Sequence, residues 1–205
     1  MTGLGDIEAF REAIIGASLE LGQAFGEDGV TMRAIATRLG TSATTLYTCF
    51  DSKAAIMREL RMRGLVMLAR SLLEGLALPD SREAMHEVSR RYVAFARDNP
   101  WLYTLLFMDE TTTTEQVLPT HRPLLLEIEA SVRERLSTVY EQLSGRPPAH
   151  ARRFVVKWWA AMHGASALLI TRRVRADHPL LPVDDVEQFV DEYVVELTDG
   201  LLRPR

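Results

Sequence analysis

One cysteine, Cys49, stands in 205 residues. It has no partner for an intramolecular disulfide and no companions for a multi-cysteine metal site, which suits a reducing compartment. Lysine is nearly as scarce: Lys53 and Lys157 are the only two, and arginine carries the remaining positive charge. No apolar run reaches the roughly 20 residues a membrane-spanning helix needs. The N-terminus, with Asp6 and Glu8, has neither the basic region nor the apolar core of a signal peptide. A cytoplasmic location without membrane association is the expectation. Also missing are a Gly-rich phosphate loop, an H-E-x-x-H motif and a Ser or Cys in a nucleophile context. Glu83-x-x-His86 is half of a di-iron carboxylate pattern, but no other histidine has a glutamate at that spacing. The expectation is no enzyme, no metal and no cofactor.

What the chain does have is helical periodicity throughout. At 47% hydrophobic it can bury a substantial core. Phe10, Ile14, Ile15, Ala17, Leu21 and Phe25 recur near a 3.6-residue period and predict a first helix over about 7–25, followed by a loop from Gly26 to Gly29. After Lys53, Ile56, Met57, Leu60, Leu65, Leu68 and Leu72 predict a long helix that Pro79 ends. Asp80-x-x-Glu83 predicts a capping box for the next helix, and Asn99-Pro100 ends that helix and starts another. Thr111 to Thr114 reads as a polar break. Further helices are predicted over about 123–143, through Trp158 and Trp159 to Leu169, and from a cap at Asp184 to Leu201. The helix carrying Trp158 is apolar around much of its circumference, which predicts burial on more than one side. No stretch reads as a strand, a repeat or low complexity. The expectation is an all-α protein of about nine helices.

The most informative stretch is Thr31 to Lys53, TMRAIATRLGTSATTLYTCFDSK. Thr31 is placed to cap a helix whose first N–H groups have no intrahelical partner. Ala36 supplies the small side chain a close helix crossing requires. Gly40 ends the helix in a left-handed turn, Ser42 caps a second helix, and Leu46 is its core anchor. That spacing is the one used by a DNA-binding helix-turn-helix. Leu46-Tyr47, Phe50, Ser52-Lys53 and Ile56, with Ala17, Leu21, Gly26 and Val30-Thr31 upstream, resemble the signature of tetracycline-repressor (TetR) family regulators over about fifty residues. Gly22 departs from it, standing where an apolar residue is usual.

Charge distribution agrees with a head and a body. From Val30 to Arg63, six basic side chains (Arg33, Arg38, Lys53, Arg58, Arg61, Arg63) face two acidic ones (Asp51, Glu59), a net +4 that leaves −8 for the remainder. The expected organisation is a helix-turn-helix head at 1–53 and a helical ligand-binding and dimerisation body at 54–205.

A helix opening at Ser42 would enter the major groove of double-stranded DNA. The predicted DNA-binding residues are Thr31, Arg33, Thr41, Ser42, Ala43, Thr44, Thr45, Tyr47, Thr48 and Lys53. The surface is rich in hydroxyls and lacks the Arg, Lys, Asn or Gln that make bidentate base contacts, which leaves threonine methyls, Arg33, Arg38 and DNA shape to give specificity. Lys53 is assigned to phosphate, chiefly by the resemblance. Tyr47 suits either phosphate or core. Family members often have basic residues near the start of the first helix, where this chain has only Arg11.

Asn99-Pro100-Trp101-Leu102-Tyr103 with Phe107, together with Trp159-x-x-x-His163-Gly164, resembles the Trp-His-Gly type of TetR regulatory domain. The resemblance implies a pocket for a small-molecule effector, bordered by Tyr92, Trp101, Tyr103, Phe107, Trp158, Met162 and His163, although aromatic and methionine stripes at helical spacing also suit plain core. It further implies a homodimer through the last two helices and a repressor that its ligand releases from a palindromic operator. The alternative is a helical small-molecule-binding or adaptor protein with weak or no specific DNA binding.

Overall fold

The computed structural model describes residues 4–108, 122–147, 150–180 and 182–202. Among them are nine helices and no strand: α1 (Leu4–Gly29), α2 (Met32–Arg38), α3 (Ala43–Leu46), α4 (Lys53–Gly75), α5 (Ser81–Asp98), α6 (Pro100–Phe107), α7 (Arg122–Ser144), α8 (Ala151–Ile170) and α9 (Val186–Leu202). The all-α expectation holds. The expected break over 111–114 lies outside the described residues.

Helix ends follow local chemistry. Thr31 Oγ1 accepts from Ala34 N at 3.1 Å, Ser42 Oγ from Thr45 N at 3.2 Å, Ser52 Oγ from Ala55 N at 3.2 Å and Asp80 Oδ1 from Glu83 N at 2.8 Å. Each satisfies an N–H that the first turn leaves open. The Glu83 carboxylate accepts from Arg90. Pro100 occupies the first turn of α6, where its missing N–H costs nothing. The cap of α9 is Asp185, whose Oδ1 accepts from Gln188 N at 2.9 Å, rather than Asp184. Two adjacent aspartates look alike in sequence, and the start of the helix selects between them. Gly26, at φ 71° and ψ −170°, breaks α1 where the loop was expected, but the chain resumes a helical turn to Gly29.

The chain forms two compact units. The first holds the described residues of 1–65 and 99–122, and so contains α1, α2, α3, the start of α4, and α6. The second holds the rest of α4 with α5, α7, α8 and α9. The division runs through α4, whereas sequence spacing placed the boundary at Lys53 and assigned α6 to the body.

In the first unit α1 packs on α2 and on α6, and α2 packs on α3. Ile14, Val30, Ile35, Leu46 and Ile56 are fully buried there, each contributing about 1.5–3 kcal/mol of apolar burial. In the second unit α5 packs against both α8 and α9. Arg82, Arg90 and Arg97 along α5 pair with Asp199, Asp191 and Glu187 of α9, so the two helices run antiparallel. Helix α8 buries Phe154, Trp158, Met162, Ala165 and Leu169 and exposes Val156, Trp159 and Leu168. Helix α8 packs on both α5 and α9, and the face carrying Val156, Trp159 and Leu168 is open in the single chain.

Candidate nucleic-acid interface

Helix α2 ends on a turn that Gly40 makes possible. At φ 65° it sits in the left-handed region, where a side chain would cost about 1–2 kcal/mol. Its N–H donates to Thr37 O at 3.2 Å, and Thr41 N donates to Ala36 O at 3.0 Å, which closes a Schellman motif. Ala36 and Leu46 are buried on either side of the turn. Helix α3 is shorter than expected: Ala43–Leu46 is α-helical, and tighter turns carry the chain on through Thr48 N to Thr45 O and Cys49 N to Leu46 O.

The predicted contact residues mostly lie at the surface. Thr31, Arg33, Ser42, Thr44, Thr45, Tyr47 and Thr48 are exposed, whereas Thr41 and Ala43 are half-buried against the turn. Tyr47 is 53% exposed, so its ring is not part of the core. The hydroxyls differ in availability. Ser42 Oγ and Thr45 Oγ1 share a hydrogen bond at 2.8 Å, and Thr48 Oγ1 donates to Thr45 O at 2.6 Å. The Thr44 side chain is exposed and has no hydrogen-bond partner among the described residues, so its hydroxyl is open to a base edge.

The cations are less available than the sequence implies. Lys53 Nζ donates to Glu27 O at 2.8 Å and lies 3.9 Å from the Glu27 carboxylate. That carbonyl belongs to the last turn of α1, where the helix dipole is negative. Arg38 donates through Nε and Nη2 to Glu20 Oε2 at 3.0 and 2.6 Å. Arg63 grips Glu12 with two bonds of 2.5 Å and also donates to Glu59 at 3.1 Å. This pairing holds the Glu12 carboxyl below its ordinary value and raises the arginine. Arg33 has no hydrogen-bond or ion-pair partner among the described residues.

Arg11 has a part that sequence spacing did not reveal. Its Nη1 donates to Cys49 O at 2.7 Å, and its guanidinium lies 4.3 Å from the centre of the Phe50 ring. It ties α1 to the end of the α3 turn through a carbonyl and a cation–π contact. Nothing in the local pattern signals this, because the partners are 38 residues apart.

The residues expected around an effector fall in both units. Trp101, Tyr103 and Phe107 are in the first, where Tyr103 is buried with its ring 5.0 Å from Phe107. Tyr92, Trp158, Met162 and His163 are in the second. Trp158 is buried and donates to Ser89 Oγ at 2.8 Å, and its ring meets Tyr92 edge-on at 5.8 Å. Trp159, half exposed, donates to Tyr92 Oη at 3.0 Å and lies 6.3 Å from His163. Burial lowers the His163 pKa. No group of three or more His, Cys, Asp or Glu among the described residues could hold a metal ion, and no described helix is long and apolar enough to cross a membrane.

Comparison with known proteins gives the same assignment for both units. The chain is 28% identical over 93 residues to the uncharacterized HTH-type transcriptional regulator YobS of Bacillus subtilis (strain 168). That stretch is 45% of this chain and 49% of YobS, so the chain spans about half the length of this curated relative. The fold matches the transcriptional regulator SCO7222, a TetR from Streptomyces coelicolor, at TM-score 0.66 and 19% identity, covering 94% of this chain and 97% of that one. It also matches the TetR family transcriptional regulator PfmR from Thermus thermophilus, at TM-score 0.59 and 18% identity over 92% and 96% of the two chains. At such identities these likenesses speak for fold alone. The family profiles reach further: "Bacterial regulatory proteins, tetR family" matches residues 14–60, and "Tetracyclin repressor-like, C-terminal domain" matches residues 85–197. With the Thr31-to-Lys53 geometry and more than half of its length matched, the chain belongs to the tetR family of bacterial regulatory proteins.

Proposed function

We propose that this chain is a cytoplasmic, homodimeric transcriptional repressor that binds a palindromic operator and is released by a small-molecule effector. The observation that carries DNA binding is the α2–Gly40–α3 turn, which buries its anchors and leaves Ser42, Thr44, Thr45, Tyr47 and Thr48 on the surface. A lone head makes few phosphate contacts, whereas two on a two-fold axis read two half-sites.

The dimer we propose forms through α8 and α9. Val156, Trp159 and Leu168 of α8 and Val195 of α9 are exposed apolar residues in the single chain, and an apolar patch of this kind suits a partner surface. Charge supports the same pairing. Helix α8 carries Arg152, Arg153 and Lys157 and no acid, while α9, once Glu187, Asp191 and Asp199 have paired with α5, still presents Glu192 and Glu196 and no base. Opposite signs on the two faces favour α8 of one copy against α9 of another.

We place the effector in the second unit, among Tyr92, Trp158, Met162 and His163, in keeping with a regulatory domain of the Trp-His-Gly type built on Trp159, His163 and Gly164. Release requires the effector to prefer the conformation that does not bind DNA. A gel shift with the DNA flanking the chain's own gene tests the proposal: a shift lost on adding the effector is expected. Absence of any shift, or a monomer in light scattering at micromolar concentration, would overturn it. A helical ligand-binding protein without operator recognition is the second reading, favoured by the hold of Glu27 on Lys53.

A further inference from the structure

The net +4 from Val30 to Arg63 does not survive folding. Helix α1 brings Asp6, Glu8, Glu12, Glu20, Glu27 and Asp28 against a single base, Arg11, so residues 4–63 carry a net −1. Nor do these acids stand apart from the bases. Glu20 takes two donors of Arg38, Glu27 takes Lys53 by its carbonyl with its carboxylate 3.9 Å away, and Glu12 takes Arg63. Arg61 donates to Leu105 O at 3.3 Å, and Arg58 has its Nε buried. Of the six bases in the stretch, Arg33 alone is both exposed and unpaired among the described residues.

We propose that α1 is an electrostatic brake on the DNA-binding head, with Glu20 and Glu27 competing with operator phosphates for Arg38 and Lys53. The proposal rests on the DNA-binding function above and specifies how that site is held in check. Both pairs are open to solvent: side-chain exposures are 59% and 58% for Arg38 and Glu20, and 35% and 50% for Lys53 and Glu27. Pairs so exposed are weak and exchange readily, so a polyanion can draw Arg38 off the Glu20 carboxylate, and Lys53 off the Glu27 carbonyl and its nearby carboxylate, without unfolding α1. Displacement leaves two glutamates facing phosphate within a Debye length of about 10 Å. The head therefore binds DNA weakly and releases fewer counterions than its bases would otherwise allow. Base contacts then gain importance over backbone attraction, and discrimination improves at the expense of affinity.

The test uses the full chain, a labelled duplex from the flanking DNA and a duplex of unrelated sequence, with affinity measured across a range of salt. The double variant E20Q/E27Q is expected to bind both duplexes about tenfold more tightly, with a salt slope steeper by about one to two. E127Q, which neutralises an exposed glutamate on α7, is expected to match the parent chain. Equal affinities and slopes for the parent and E20Q/E27Q would overturn the brake and leave DNA binding standing. An equal gain from E127Q would also overturn it, because net charge rather than the local pairs would then govern. Binding by E20Q/E27Q where the parent binds neither duplex would support the brake in its strongest form. Failure of both proteins on both duplexes, even at low salt, would overturn the DNA-binding function and the brake with it.

Discussion

The indole of Trp101, on α6, lies directly over Gly22 of α1, so that a Cβ on residue 22 would overlap the ring. This accounts for a glycine where the TetR pattern usually has an apolar residue: the apolar group comes from Trp101 instead. A second notch adds to the first, since a Cβ on Gly64 of α4 would stand 2.9 Å from the Leu102 side chain. Neighbouring residues of α6 thus key into two helices of the same unit.

Gly22→Leu should destabilise the chain by about 1–3 kcal/mol in denaturant unfolding, the usual cost of overpacking. Trp101→Ala should also destabilise it. The double variant should lose less than the sum of the two, because removing the indole makes room for the leucine. Simple additivity would show that the two side chains do not share the site.

Helix α8 ends on a non-glycine residue in the left-handed region, Arg172 at φ 56°. Arg173 N donates to Leu168 O at 2.7 Å and Arg172 N to Leu169 O at 3.0 Å, so the strain accompanies a complete Schellman closure. Arg172→Gly should stabilise the chain by about 0.5–1 kcal/mol, the left-handed penalty less the extra freedom of glycine in the unfolded state. The midpoint of thermal unfolding measures it, and a lower midpoint would refute it.

His86 is 8% exposed, and its Nε2 has no hydrogen-bond partner among the described residues. Burial lowers its pKa, and the neighbouring Arg90 and Arg82 lower it further against the opposing pull of Glu83 and Asp199. The unfolded chain, with an ordinary histidine pKa of about 6.5, binds the proton first as pH falls. The stability this provides is present above about pH 6.5 and is lost as pH falls toward the depressed folded value. His86→Gln should therefore flatten the loss of thermal stability over that window. Part of the loss should remain, because burial lowers His163 in the same direction. An identical profile in variant and parent would exclude His86 as a source.

Thr44 and Lys53 should separate specificity from affinity. Thr44→Ala should change the preference among operator variants and leave the salt slope alone, because the exposed Thr44 hydroxyl and methyl can face bases. Lys53→Ala should weaken binding on all sequences and reduce the slope by about one. It should also cost some stability in the head, since Lys53 donates to the last turn of α1. A sequence-selective effect of Lys53→Ala would reverse the two assignments.

Local chemistry made much of the fold legible. The caps at Thr31, Ser42, Ser52 and Asp80 each act over three residues, so spacing alone identifies them. Gly40 is equally local, because a tight helix exit needs the left-handed region that glycine enters without strain. The packing of the large aromatic residues was not legible to the same degree. Trp101 and Trp158 have the same apolar character in sequence, yet one fills a notch on α1 and the other is a hydrogen-bonded core residue on Ser89.

The sequence by itself determined that the chain is helical, where most helices begin and end, and that Thr31 to Lys53 makes a helix-turn-helix, because these follow from periodicity and from contacts within a turn. Only the tertiary structure decided which charges meet. Arg38 lies 18 residues from Glu20, Lys53 lies 26 from Glu27 and Arg63 lies 51 from Glu12. A sum of charges along a segment cannot anticipate such partners, because Coulomb attraction depends on distance in space and α1 folds back over the basic stretch it precedes.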